Sequence, residues 1–408
     1  MENNIKKIKR TIDIYPIFSA LSADLIFFIP IDTLFYTLAK GLNASQITAM
    51  TMISLLVCIL SKKIILNIVK KIGNINSLRI GSLLLLLSAI ILTFAKSFIV
   101  ILFYRCAYEI SFMFINMVLI VLKNDLNFLG QKDDYYKIRN KAKVLYATTT
   151  LITSLLSGVL FNINMYLPMY LSIILCGIVA KMSFKIYESK LNNEKENETI
   201  ENKNKIKINV FSTIFLIIIS NTIFYSIIKL GQGNSKLFMQ YDFQQFVSIE
   251  EVTYCITIIV FLSRIARLIG NIVFAKIYIK VKDNISVILS YFLSLAFLLL
   301  ILGHFLNLEY IYKVIIMSLG FFFILAVRDS FRIYIEDIAL KITKKDEQQK
   351  ILLNIEVYRK IGTLLLSALV TLILMKFELI MIEILLLILA VIEIFINKKL
   401  LKRLEDNN

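Results

Sequence analysis

Residues 192–209 read NNEKENETIENKNKIKIN, and this polar stretch interrupts an otherwise apolar chain of 408 residues. It belongs to a longer polar region, Ser189–Asn209, which is rich in charged residues and contains no aromatic residue. A segment of this composition buries too little apolar surface to fold on its own. We therefore predict a flexible cytoplasmic linker at 189–209 that joins two domains, residues 1–188 and 210–408.

Apolar blocks lie on both sides of this linker, separated by short lysine-rich stretches. The chain is 58% hydrophobic, whereas soluble globular proteins are about 45–50% apolar. A helix of about 20 apolar residues crosses the hydrocarbon core, and these blocks do not alternate in polarity as barrel strands do. We predict an all-α polytopic membrane protein of 12 transmembrane helices, arranged as two six-helix bundles. The predicted spans are Pro16–Leu38, Ala44–Leu60, Ile80–Ala95, Phe98–Leu122, Val144–Ile163, Leu167–Ala180, Val210–Ile228, Val252–Ile279, Ile285–Leu306, Tyr310–Val327, Ile351–Met375 and Leu379–Ile396.

The formal net charge of +17 arises mainly from Lys and Arg residues in the loops between the predicted spans. When the N-terminus is placed inside, most of the 46 Lys and Arg residues fall in loops on the inner side. The positive-inside rule accounts for this distribution, so the charge does not indicate nucleic-acid binding. We predict a multi-pass protein of a bacterial cytoplasmic membrane, embedded in the lipid bilayer, with both termini in the cytoplasm.

Residues that bind metals or cofactors are scarce. The sequence shows no metal-ligand spacing, P-loop or Gly-x-Ser-x-Gly motif, and the single histidine, His304, is expected at the membrane interface. We predict no catalytic residues, no metal, no cofactor and no enzymatic activity. Each cysteine lies inside an apolar span, where it behaves as a small hydrophobe: Cys58, Cys106, Cys176 and Cys255.

The loop between the second and third spans carries a motif. Residues 66–73 read LNIVKKIG and are followed by Gly81, and Arg105 lies in the fourth span. Together with the layout of six spans, a linker and six spans, these residues resemble the major facilitator superfamily. Its members have G-x-x-x-D-R-x-G-R-R at this loop, a further glycine eight residues on, and R-x-x-Q-G in the fourth helix. Lys70 stands at the position of the family's aspartate.

The resemblance implies two parallel six-helix repeats and a gating role for the loop, here Lys70, Lys71 and Gly73. It also implies that helices 1, 4, 7 and 10 line a central cavity. That placement makes further residues candidates for the solute pathway: Asn116, Asn221, Tyr225 and Arg328. The Gly-Pro signature of many exporters is absent from the fifth span.

Ionisable residues within the spans are candidates for transport chemistry. Each costs about 2.5–3.5 kcal/mol to insert, so its presence indicates a function. Asp24 and Asp32 are predicted on one helix, about 80° and 12 Å apart, with a possible kink at Pro30 between them. Arg105 and Glu109 share one helical face in the fourth span. Asp32 and Arg105 are expected at similar depth and could pair.

A structural role is the alternative for these residues. An Asp–Arg pair can fasten two helices without touching a solute, and Arg328 near a cytoplasmic helix end can snorkel to the interface. Other charged residues of the spans are expected to brace a helix or to lie at the interface: Arg264 and Arg267 for bracing, Glu383 and Glu393 for the interface.

The leading functional hypothesis is a secondary transporter that works by alternating access. A carboxylate can bind and release a proton, so proton coupling through Asp24, Asp32 or Glu109 is expected, with export favoured over uptake. The alternatives are a facilitator or symporter for nutrient uptake, such as of a sugar or peptide, and a non-transporting membrane sensor or intramembrane enzyme. The expected partners are a small-molecule solute and protons, and the chain is expected to be a monomer.

Overall fold

The computed structural model describes residues 2–131, 134–189, 213–306, 309–342 and 348–406. The predicted linker, apart from Ser189, lies outside these ranges. The described residues form helices and contain no strand. The α-helices are α1 Glu2–Leu21, α2 Asp32–Leu34, α3 Ala44–Ile72, α4 Asn74–Phe94, α5 Phe98–Ile115, α6 Val118–Phe128, α7 Asp134–Ile163, α8 Leu167–Ser183, α9 Thr213–Phe243, α10 Ile249–Val281, α11 Ile285–Phe305, α12 Tyr310–Ile342, α13 Gln348–Leu374 and α14 Ile380–Asp406.

The helices account for every predicted span. Within the described ranges, nine segments are helical, long and apolar enough to cross a membrane, and one of them, Ile249–Phe305, holds both α10 and α11. Two shorter apolar helical segments, Ile29–Ala39 and Leu167–Ser183, correspond to the remaining spans. The protein is therefore a multi-pass membrane protein, and the predicted all-α architecture is confirmed.

The first span is not the continuous helix that the sequence predicted. Helix α1 ends at Leu21, and the chain resumes regular structure at Ile29 with a 3-10 turn, followed by α2 and a π-helix at Phe35–Ala39. Pro30 lies at the start of the 3-10 turn, where its missing N–H removes no helical hydrogen bond. Asp24 therefore lies in the break, and Asp24 and Asp32 do not share one helix face.

The fourth span is also divided, into α5 and α6, at Asn116 and Met117. Helix α4 lies close to α5 just before this division. A Cβ atom on Gly81 would lie 2.7 Å from Phe114 Cβ and 2.8 Å from Ile115 N. The glycine that the resemblance singled out is thus a contact point between two helices, where no side chain fits.

A capping box begins the eighth span. Ser248 Oγ accepts a hydrogen bond from Glu251 N, while the Ser248 N–H donates to Glu251 Oε2 at 3.1 Å. These reciprocal bonds satisfy two backbone donors that a helix start leaves open. They explain why α10 begins at Ile249 directly after a tight turn.

The chain divides into two compact units. Unit 1 comprises Met1–Phe35 and Ile53–Ile206, and unit 2 comprises Tyr36–Met52 and Lys207–Asn408. In unit 1, α4 packs on α5 and α8, and α1 packs on α7. In unit 2, α9 packs on α12, α13 and α14, while α11 packs on α12 and α14. The domain boundaries at 188 and 210 remain a prediction.

Candidate functional site

The break in the first span places Asp24 beside the fourth span. Tyr108 on α5 is buried, and its hydroxyl donates a hydrogen bond to Asp24 Oδ1. The backbone N–H of Leu25 donates to the same oxygen at 3.0 Å. A half-buried carboxylate with two donors on one oxygen is held in a fixed position.

Arg105 and Glu109 form an ion pair on the same helix. The distance from Arg105 Nη2 to Glu109 Oε1 is 3.0 Å, and the two side chains are 17% and 23% exposed. The Arg105 guanidinium also lies over the ring of Tyr108, 5.1 Å from its centroid. Four residues therefore form one polar group, the unit 1 cluster: Asp24, Arg105, Tyr108 and Glu109.

Tyr108 was missed by the sequence analysis. It lies within the stretch compared with the family motif, but an apolar span tolerates tyrosine, so its residue type alone drew no attention. The available signal was its spacing, three residues after Arg105 and one before Glu109, which places all three on adjacent parts of the helix surface.

Asp32 and Asn116 are not among the four residues of the unit 1 cluster. Asp32 is half-buried at the start of α2 and accepts a hydrogen bond from Thr33 N at 2.7 Å. Its pairing with Arg105 remains a prediction. Asn116 follows the last residue of α5 and is exposed, and its amide side chain makes no hydrogen bond to the described residues.

The predicted gating loop is a glycine turn between α3 and α4. Gly73 has a φ of 81°, a conformation that side chains disfavour, and exposed Lys70 and Lys71 end α3, where cations favour the helix dipole. Next to the turn, Asn74 Nδ2 donates to Glu188 Oε1 at 2.7 Å. A carboxylate from the segment after α8 thus binds here. A gating role for Lys70, Lys71 and Gly73 remains a prediction.

Unit 2 contains a second polar group, built around a buried arginine that the sequence analysis did not select. Arg359 on α13 is 5% exposed. Its Nε and Nη2 donate to Asn221 Oδ1 at 3.0 and 2.7 Å, and its Nη1 donates to Glu336 Oε1 at 3.1 Å. The guanidinium lies 5.4 Å from the ring centroid of Tyr225. We call Asn221, Tyr225, Glu336 and Arg359 the unit 2 cluster.

One donor of the unit 2 cluster is unused. Asn221 is 1% exposed, and its Nδ2 has no acceptor among the described residues. A buried donor without an acceptor is costly. The amide could therefore donate to a solute that enters this part of the unit.

Arg328, the remaining predicted pathway residue, lies on α12 and donates from Nη1 to Gln232 Oε1 at 3.2 Å. Its neighbour Asp329 binds Arg267 on α10 through two bonds, 2.6 Å from Nε and 2.9 Å from Nη2. This pair agrees with the bracing role expected for Arg267. A Cβ on Gly270 would lie 2.7 Å from the Ala326 carbonyl oxygen, so the glycine permits the helix approach on which the pair depends.

Three residues that were expected at the membrane interface, Glu383, Glu393 and His304, contact α9, and their depth in the membrane remains a prediction. Glu383 and Glu393 are 0% exposed, because α14 packs its glutamate-bearing side against α9 and α11. His304 is also more than a plain interfacial residue. Its Nδ1 lies 2.7 Å from Asp242 Oδ1, and Lys313 Nζ lies 3.3 Å from Asp242 Oδ2.

Comparison of the chain with known sequences gave no match to a family model or to a curated protein. Comparison with solved structures gave strong matches. The nucleoside transporter NupG superposes with a TM-score of 0.74 at 12% identity, covering 97% of this chain and 99% of that one. The D-xylose-proton symporter superposes with a TM-score of 0.66 at 12% identity, covering 94% and 96%.

A bacterial homologue of the iron transporter ferroportin is similar as well, with a TM-score of 0.64 at 12% identity over 96% of this chain and 98% of that chain. At these identities the likeness concerns the fold. It extends over nearly the full length of each structure, which a shared single bundle could not produce. The chain therefore has the fold of these transporters, and the predicted twelve-helix, two-bundle fold of the major facilitator type is confirmed.

Proposed function

We propose that the protein is a secondary transporter that moves a small polar solute across a bacterial cytoplasmic membrane by alternating access. The observation that carries this proposal is the match in fold to transporters over 94–97% of the chain. The ionisable unit 1 cluster inside the spans supports it, because charge within a membrane is retained where it serves a pathway or a partner.

Proton coupling is the second part of the proposal. Asp24 accepts the Tyr108 hydroxyl hydrogen bond, and Glu109 pairs with Arg105. Protonation of Asp24 would weaken the contact that joins the first span to the fourth. Protonation of Glu109 would weaken its ion pair with Arg105 within the fourth span. Asp32, half-buried in α2, is the third candidate.

The unit 2 cluster is proposed to contact the solute. The cluster combines the unused Asn221 donor with an arginine that lies over a tyrosine ring, which suits a solute with oxygen acceptors. Nucleosides and pentoses have such acceptors, and proteins of the same fold carry them, since the matched structures include a nucleoside transporter and a D-xylose-proton symporter. Export is favoured over uptake, and the transporter is proposed to act as a monomer with both termini in the cytoplasm.

The test begins with a thermal-shift screen of the purified protein against nucleosides, sugars and peptides. A solute that raises the melting temperature is then followed in proteoliposomes across a range of pH. Asp24→Asn, Asp32→Asn and Glu109→Gln are each expected to change the pH dependence of flux. If all three variants keep the flux and the pH profile of the parent protein, the coupling assignment is wrong.

A facilitator for nutrient uptake is the second candidate. A transporter of a sugar, the D-xylose-proton symporter, is among the matched structures. An imposed proton gradient separates the two candidates. Liposomes preloaded with unlabelled solute exchange labelled solute in both cases, but only a coupled transporter accumulates solute when a proton gradient is imposed. Net accumulation with neither a proton gradient nor preloaded solute would contradict both.

A further inference from the structure

A fully buried glutamate joins three helices of unit 2. Glu393 on α14 is 0% exposed, and its Oε1 lies 2.5 Å from Ser220 Oγ on α9 and 2.8 Å from Asn397 Nδ2. Asn397 Nδ2 also reaches Ser290 Oγ on α11 at 3.0 Å. All four of these side chains are buried. We call them the α14 network.

The contacts within the α14 network outnumber the hydrogens that an ionised Glu393 leaves available. Ser220 has one hydroxyl hydrogen, yet its Oγ lies within bonding distance of both Glu393 Oε1 and Asn397 Oδ1, the latter at 3.0 Å. The Asn397 amide has two hydrogens, yet its nitrogen contacts three oxygens, namely Glu393 Oε1, the Glu393 carbonyl and Ser290 Oγ.

One added proton on Glu393 gives the network a consistent set of bonds, in which only the contact from Asn397 Nδ2 to Glu393 Oε1 lacks a hydrogen. The carboxyl then donates to Ser220 Oγ, and Ser220 donates to Asn397 Oδ1. The two Asn397 hydrogens go to Ser290 Oγ and to the Glu393 carbonyl, and Ser290 donates to the Ser286 carbonyl at 2.9 Å. Each donor is then used once, and each of these acceptors receives a hydrogen.

Among the described residues, no positively charged group forms an ion pair with Glu393. Ser220 on α9 contacts Glu393 directly, and Ser290 on α11 contacts it through Asn397. Helix α13 contributes no polar contact among the described residues. None of these groups titrates or carries a charge. Glu393 Oε2 is buried without any hydrogen-bond partner in the described chain, a condition that an ionised oxygen does not tolerate in an apolar surrounding.

We infer that Glu393 is a proton-binding site within unit 2, occupied by a proton in the arrangement seen here. Its partner Ser220 is the neighbour of Asn221, which binds Arg359 in the unit 2 cluster. Loss of the proton would remove the hydrogen bond that Ser220 accepts from Glu393. It would therefore disturb α9 next to Asn221, which belongs to the unit 2 cluster. This coupling step rests on the proposed transport function, whereas the proton site itself does not.

Infrared spectroscopy of the purified protein tests the proton site without any solute. At neutral pH, Glu393→Gln is expected to remove one component of the carboxylic-acid C=O band. Glu378→Gln, at an exposed glutamate just before α14, is the matched control and should leave the band unchanged. Glutamine can donate to Ser220 as the protonated acid does, so the variant should melt at about the temperature of the parent protein. A folded Glu393→Gln protein with an unchanged band would overturn the inference.

Ser220→Ala is the second variant and also decides the matter if Glu393→Gln does not fold. It removes the acceptor of the carboxyl proton, so the same band component should shift to the frequency of a weaker hydrogen bond, and an unshifted band would overturn the inference. In proteoliposomes, Glu393→Gln should flatten the pH dependence of flux. A band that behaves as expected in a protein that moves no solute would reject the proposed function and leave the proton site standing.

Discussion

Arg359 holds Asn221 through two nitrogens that converge on one oxygen, with Nε at 3.0 Å and Nη2 at 2.7 Å from Asn221 Oδ1. The pair links α13 to α9 in the interior of unit 2. Because Arg359 is 5% exposed, water cannot replace Asn221 as the acceptor. The stability of unit 2 and its proposed contact with a polar solute therefore depend on the same pair.

Asn221→Ala should destabilise the protein by about 1–3 kcal/mol, because it leaves buried guanidinium donors without an acceptor. Denaturant unfolding in micelles measures this change. Asn116→Ala is the matched control, since Asn116 is exposed and bonds no described residue through its side chain. Equal losses in the two variants would contradict the role given to the Arg359 contact.

Tyr108→Phe should cost about 1–2 kcal/mol of stability, because the Asp24 carboxylate loses the hydroxyl that donates to it. The same change should alter the pH profile of flux, since the Asp24 carboxylate loses the partner that holds it against the fourth span. Tyr170→Phe, at a tyrosine that is 42% exposed, serves as the control for loss of a hydroxyl. A Tyr108→Phe protein that matches this control in unfolding and in flux would remove Tyr108 from the cluster.

Gly270→Ala should destabilise the protein by about 1–3 kcal/mol through overpacking. The added methyl would lie 2.7 Å from the Ala326 carbonyl oxygen, and separating α10 from α12 would stretch the Arg267–Asp329 pair. Gly233→Ala is the comparison, since a Cβ there meets nothing within 4 Å. Unfolding of both variants in the same micelles decides the point, and a harmless Gly270→Ala would show that the helices separate without cost.

The proposed orientation can be read by labelling single cysteines in a background without the four native ones. Lys376→Cys, between α13 and α14, should react with a membrane-impermeant maleimide in intact cells. Lys402→Cys, in the last turns of α14, should react only after the membrane is permeabilised. Both positions are exposed, so access depends on the side of the membrane alone. Labelling of both residues from outside would reverse or break the topology.

The sequence predicted the twelve-span plan because continuous apolar blocks and lysine-rich loops are properties of composition and spacing. The break after Leu21 was not predictable in this way, since residues 22–28 contain neither proline nor glycine and are apolar apart from Ser22 and Asp24. Pro30 signalled a disturbance, but the chain leaves the helix several residues earlier. An apolar environment favours helical structure along the whole span, so only tertiary contacts decide where a span is broken.

The polar sites were predicted unevenly for a similar physical reason. Asp24, Arg105, Glu109 and Asn221 stood out as charged or polar residues in apolar spans, and the structure places them in clusters. Arg359 and Glu393 were visible as well, but a single sequence does not show which face of α13 or α14 packs inward. Burial of Glu393 follows from the contact of α14 with both α9 and α11, which is a property of the bundle.

Proton movement on addition of solute is the most direct test of proton-coupled transport by this protein. Proteoliposomes that contain the purified protein and a trapped pH indicator receive a nucleoside or D-xylose, whichever raises the melting temperature in the thermal-shift screen. If transport is proton-coupled, the solute drives a change in internal pH, which Asp24→Asn together with Glu109→Gln abolishes. Solute movement with no change in internal pH, or no solute movement at all, would contradict proton-coupled transport.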